Sequence, residues 1–166
     1  MPELHTIYLS KHGDIKPKKF VLPRIREPRC ELDLIYLIGR YWDVIRERTG
    51  LEEIVFVDKH WDAEGIYRGR KVRIEVKLDA KDFDKDPTKI DLLICWKLTP
   101  SGSILKQLPL YGRNDLWIHK YNLKENEKDC LRNLLKRGKT NLVEDLIKEI
   151  FRCVGIEIIV LSEILK

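Results

Sequence analysis

An α/β fold, with a mixed central sheet flanked by helices, is what this sequence predicts, on three observations. Residues 71–78 (KVRIEVKL) alternate apolar and charged side chains, the period-two mark of a strand with one polar face. Residues 90–96 (IDLLICW) are nearly continuous in apolar character, as in a strand covered on both faces. Segments of helical periodicity lie on both sides of these strands, and strands interleaved with helices argue for layered α/β packing.

Along the chain, residues 1–30 hold four of the seven prolines and read as a basic, extended N-terminal arm, with a strand candidate at 5–9. The arm carries Lys16, Lys18, Lys19, Arg24 and Arg26, the residues expected to bind nucleic acid. A helix is expected over 31–49, with Leu34, Ile35, Ile38, Trp42 and Ile45 on one face and Gly50 as its stop. Strands follow at 53–58, near 65–67 and at 71–78, and Tyr67-Arg-Gly-Arg reads as the tight turn joining the last two. The acidic connection 79–89 is expected to include a helical turn before the 90–96 strand. Residues 98–122 read as irregular. Helices are expected over 124–136 and 142–153, the second opened by Asn141 with Glu144, and a strand at 157–161 closes the order. The domain thus spans 31–166, with 98–153 as an inserted, largely helical segment.

With 166 residues, 43% hydrophobic and 36% charged, the chain can fill one core and cover it. That excludes a disordered tail, a collagen-like repeat and a disulfide scaffold. No stretch of 18 apolar residues occurs, and the N-terminal residues lack a signal-peptide pattern, so a soluble cytoplasmic protein without membrane contact is expected. Heavy use of Lys, Glu, Arg and Ile with a single Gln leans towards a thermophile. Cys30, Cys95, Cys130 and Cys153 form no C-x-x-C pair, and the four histidines are equally scattered, so zinc has no ligand spacing and reduced, mostly buried thiols are expected.

Charge is unevenly placed. The net is +4 over residues 1–30, −2 over 31–100 and +5 over 101–139. An acidic middle between basic flanks suits a protein holding a cation at its centre and a polyanion along its edges. Solvated lysine-rich faces would give the same sums.

Glu75 and Lys77 leave the same face of the 71–78 strand, opposite Ile74 and Val76. Twelve residues separate Asp62 from Glu75, enough for a strand, a turn and a return that bring the two carboxylates together. Converging carboxylates repel unless a hard divalent cation lies between them, and an adjacent ammonium offsets charge growing on a phosphate. Glu64 and Asp58 are the alternative ligands if the hairpin register differs. A solvent-facing Glu75–Lys77 ion pair is the bland alternative. His60 reads as an exposed turn residue, and Trp61, Trp96 and Trp117 as packing side chains that otherwise stack on bases.

Trp61-Asp62 … Glu75-Val76-Lys77, on a hairpin preceded by a helix beginning at Glu31, resembles the motif of the PD-(D/E)XK, or restriction-endonuclease-like, nuclease superfamily. Residues 31–96 resemble its core, with Trp61 where the family usually has Pro, and 157–161 resembles its closing strand. The block RKVRIEVKLDAKDF…KIDLLICW is similar to a group of small, mostly archaeal members, in which an Asp opens the later strand, as Asp91 does here. The resemblance implies a metal-dependent endonuclease hydrolysing nucleic-acid phosphodiesters, DNA favoured over RNA. It implies Mg²⁺ or Mn²⁺ on Asp62, Glu75 and the Val76 carbonyl, Lys77 and Glu31 in catalysis, Asp91 as an accessory, and commonly a homodimer. A non-cutting module on the same fold, binding nucleic acid or a protein, is the second expectation.

Overall fold

Six strands hydrogen-bond in chain order in the computed structural model, which describes residues 8–10, 25–57, 59–98, 116–137 and 143–165. The strands are β1 (Tyr8–Ser10), β2 (Leu51–Phe56), β3 (Ala63–Tyr67), β4 (Arg70–Asp79), β5 (Leu92–Lys97) and β6 (Glu157–Val160). β1 to β4 pair antiparallel, whereas β4–β5 and β5–β6 are parallel, so the sheet is mixed as expected. Helices are α1 (Glu31–Arg40), α2 (Trp42–Arg48), α3 (Leu116–Lys120), α4 (Glu125–Arg137), α5 (Val143–Cys153) and α6 (Leu161–Ile164).

Side-chain alternation along β4 and β5 builds a core on each face. Ile74, Val76, Leu92 and Ile94 pack with Leu34 and Ile38 of α1 and Trp42 and Ile45 of α2. Leu93 and Cys95 face the opposite layer, where Phe83, Trp117 and Phe151 meet edge to face at centroid distances of 5.2–6.0 Å. β5 is covered on both sides, which is why its sequence is almost unbroken in apolar character.

The β3–β4 turn is a two-residue one with Arg68 at φ 48° and Gly69 at φ 78°, the left-handed pair that matches strand twist. Arg68 tolerates it because its N–H donates to the Gly50 carbonyl (2.8 Å) and its guanidinium lies 5.1 Å from the Tyr67 ring centroid. At Gly65 a Cβ would collide with the Glu53 carbonyl oxygen, so β2 and β3 pair this closely only around glycine.

Four expectations are corrected. The 31–49 helix breaks at Tyr41 (φ −108°), which turns α2 so that Val44 joins Trp42 and Ile45 in the core. Residues 98–122 are not wholly irregular: α3 forms around Trp117, 1% exposed. β6 ends at Val160, and α6 follows with Leu161 buried. Not all thiols are reduced: Cys130 on α4 and Cys153 on α5 form a disulfide, because helix pairing brings together residues 23 apart. Cys95 is a free, buried thiol and Cys30 a free, exposed one. The Asn141 cap and Gly138 lie outside the described residues.

Candidate active site

A difference in strand length creates the site. β3 pairs with β4 from Tyr67 opposite Arg70 to Ala63 opposite Ile74; beyond that β4 continues beside β5, and among the described residues no strand pairs with its other edge from Glu75 onward. At the junction the Asp62 N–H donates to the Ile74 carbonyl (3.0 Å), although Ile74 already faces Ala63. Two residues opposite one make a bulge, and a bulge re-aims its side chain. Asp62 turns onto the open edge, where its Oδ2 accepts the Val76 N–H at 2.8 Å. Within a strand a residue's N–H and C=O share a side, so the Val76 carbonyl faces the same notch.

Glu75 projects into this notch and is 1% exposed. Among the described residues its Oε2 has no hydrogen-bond partner. Burial, the hydrogen bond with Asp62 and the Asp62 charge together push its pKa from 4.5 up to about 8, against the opposing pull of Lys85 and Lys77. Without a cation beside it, Glu75 therefore keeps its proton at neutral pH.

Lys77, two residues on, emerges from the same face. Its Nζ lies 3.4 Å from Glu31 Oε1 at the start of α1 and 3.3 Å from Asp84 Oδ1 in the connection after β4. Burial works against its charge, but Glu31 and Asp84 more than compensate and hold the pKa above the ordinary lysine value. Lys77 is a fixed cation and not a base at neutral pH.

Asp62, Glu75, Val76, Lys77 and Glu31 thus come together. Asp91 and Glu64 do not join them. Asp91 is clasped by Arg73, accepting its backbone N–H (2.8 Å), Nε (2.9 Å) and Nη2 (3.1 Å), while the Asp91 carbonyl accepts the Glu157 N–H (3.1 Å). Burial would raise the Asp91 pKa, but the Arg73 bonds reverse the sign and lower it. This is a clasp joining β4, β5 and β6. Asp91→Ala is expected to cost about 1–2 kcal/mol in denaturant unfolding and to leave divalent-cation affinity unchanged.

Glu64 Oε1 accepts from Lys59 Nζ and Trp61 Nε1, both at 3.0 Å, and these bonds lower its pKa. It steadies the turn carrying Asp62 rather than facing Glu75. Trp61 is part-buried with Arg73 5.8 Å above its ring, Trp96 is half-buried and Trp117 is core. His60 is exposed. Arg26 is described and exposed; Lys16, Lys18, Lys19, Arg24 and Asp58 lie outside the described residues.

Sequence reasoning missed Asp84 and Lys85. The connection DAKDFDKDPTK offers acids and lysines at almost every position. Which of them face the notch is decided by Phe83 and Pro87 turning inward, with Asp79 and Asp86 side chains accepting backbone N–H groups to fold two short 3₁₀ turns.

Among the described residues no group of three or more His, Cys, Asp or Glu side chains is placed to hold a metal ion. Two carboxylates and a carbonyl, one carboxylate oxygen being buried and unpartnered, still fit a hard cation that keeps much of its water. No helix among these residues is long and apolar enough to cross a membrane. Compared with known proteins, the chain matches no family model, no curated protein and no solved structure.

Proposed function

We propose that the chain is a metal-dependent endonuclease of the PD-(D/E)XK kind, hydrolysing phosphodiester bonds of nucleic acid, DNA before RNA. The observation that carries this reading is the buried Glu75 carboxyl group, one oxygen without a partner among the described residues, pressed against Asp62 beside an ion-paired Lys77. Such an arrangement costs stability once Glu75 ionises, and is relieved by a proton or by a ligand that neutralises both acids.

Asp62, Glu75 and the Val76 carbonyl would hold Mg²⁺ or Mn²⁺. When bound, such an ion polarises the phosphoryl oxygens and acidifies a water. Lys77 supplies fixed positive charge to the phosphoryl group as negative charge grows on it. Glu31 and Asp84 aim that ammonium and keep it protonated. Lys85 adds a second positive charge beside Glu75.

A non-cutting nucleic-acid-binding module is the second reading, favoured by the two ion pairs that occupy Lys77. Incubating supercoiled plasmid, single-stranded DNA and structured RNA with Mg²⁺ or Mn²⁺ separates the two. Wild type is expected to cut, and Asp62→Ala and Lys77→Ala to lose at least about a hundredfold in rate. Cleavage surviving both substitutions, or binding without cleavage by wild type, overturns the enzyme.

A further inference from the structure

The helices packed on Leu93 and Cys95 cover the β5 side of one sheet face, and among the described residues that face is concave over β2, β3 and β4. A cavity of about 540 Å³ lies there, floored by Val55 and Ile66 and ringed by Glu53, Glu64, Lys71 and Arg73. We propose that it is a subsite for one unpaired nucleobase, next to the scissile phosphate and selective for bases that carry an exocyclic amino group. The inference rests on the reading of a nucleic-acid substrate.

Position is the first argument. Lys71, Arg73, Glu75 and Lys77 project from one face of β4, and alternate residues of a strand lie about 7 Å apart. A phosphate in the Glu75–Lys77 notch puts the neighbouring nucleotide over Arg73 and Lys71, whose charges follow the backbone. The base attached there meets the cavity. Arg73 is held in place by Asp91, and Trp61 is fixed beside the cavity by Glu64 and by Arg73 over its ring.

Size and shape are the second. The volume falls within the range of small-ligand pockets, and an apolar floor suits the face of a base. A base within a duplex is covered by its partner and its stacking neighbours, so only one outside the stack enters a concavity of this kind.

The chemistry of the rim is the third. Glu53 is half-buried, and among the described residues its side chain enters no hydrogen bond or ion pair, its backbone alone being engaged in the sheet. Glu64 spends Oε1 on Lys59 and Trp61. Carboxylates accept from the amino groups of cytosine, adenine and guanine and repel the carbonyl oxygens of thymine and uracil.

The test is fluorescence anisotropy of short labelled oligo-dC, oligo-dT and a dC·dG duplex in EDTA, so that binding is read without cutting. Wild type is expected to bind oligo-dC about tenfold more tightly than oligo-dT, and the duplex more weakly than oligo-dC. Glu53→Gln, which can donate to a carbonyl, should bring the two single strands to near-equal affinity. Ile66→Trp, filling the floor, should weaken oligo-dC about tenfold while the melting temperature stays within a few degrees of wild type. Equal wild-type affinity for the two strands, a ratio untouched by Glu53→Gln, or a duplex bound as tightly as oligo-dC overturns the subsite. Plasmid cleavage with no such preference removes this inference and leaves the nuclease standing. A Glu53-dependent preference without cleavage under Mg²⁺ or Mn²⁺ does the reverse.

Discussion

Glu75→Gln is expected to melt higher than wild type in EDTA at pH 8 and above, and to be inactive with any divalent cation. The wild-type carboxyl binds its proton more tightly in the folded chain, with a pKa of about 8, than in the unfolded chain near 4.5. Folding stability is therefore fullest below about 4.5, falls by about 1.4 kcal/mol per pH unit through the window between the two values, and levels off above about 8. The amide has the same shape, needs no proton to sit against Asp62, and removes this decline. A gain of a few kcal/mol above pH 8 is expected, shrinking to nothing at pH 4, together with, for the proposed nuclease, a loss of about a thousandfold in cleavage rate because the second carboxylate that would hold the ion is gone. Urea unfolding of both proteins from pH 4 to 9 reads the first effect. Parallel curves over that range would mean that Glu75 is not under electrostatic stress.

Reduction of Cys130–Cys153 is the second large effect. Closing a loop of this length restricts the unfolded chain by about 3 kcal/mol, which for a domain of this size is about 6–12 °C in melting temperature. The bond ties α4 to α5, the pair whose Leu131, Leu134, Ile147 and Phe151 fill the core beneath Leu93 and Cys95. Calorimetry with and without reductant measures the shift. Thiol titration of the denatured chain should count two free thiols before reduction and four after. Four thiols before reduction would contradict the pairing.

What the sequence discloses and what it conceals divide along physical lines. β4 and β5 were legible because alternation and continuous apolar character report directly on one covered face or two. The turn at Arg68–Gly69 was legible because its backbone geometry favours glycine. The shared face of Glu75 and Lys77 follows from strand periodicity alone. The bulge that aims Asp62 was not legible, since it arises from the register between strands and not from any residue in them. The roles of Asp91 and Glu64 turned on their neighbours: Arg73 lies 18 residues before Asp91, and Lys59 and Trp61 become partners of Glu64 only when the turn folds back. The disulfide was hidden for the same reason, because the spacing of Cys130 and Cys153 means nothing until two helices pair. Asp84 and Lys85 were lost in a loop where nearly every residue is charged.

Everything functional proposed for this chain requires that Asp62 and Glu75 meet closely enough to hold one divalent ion between them. Titrating Mn²⁺ into the protein, with free Mn²⁺ followed by electron paramagnetic resonance, tests that most directly. One tightly held ion per chain is expected in wild type and none in the Asp62→Ala/Glu75→Gln double variant, with Asp91→Ala binding as wild type does. Mn²⁺ held equally by the double variant, or not held by wild type at all, would contradict the account.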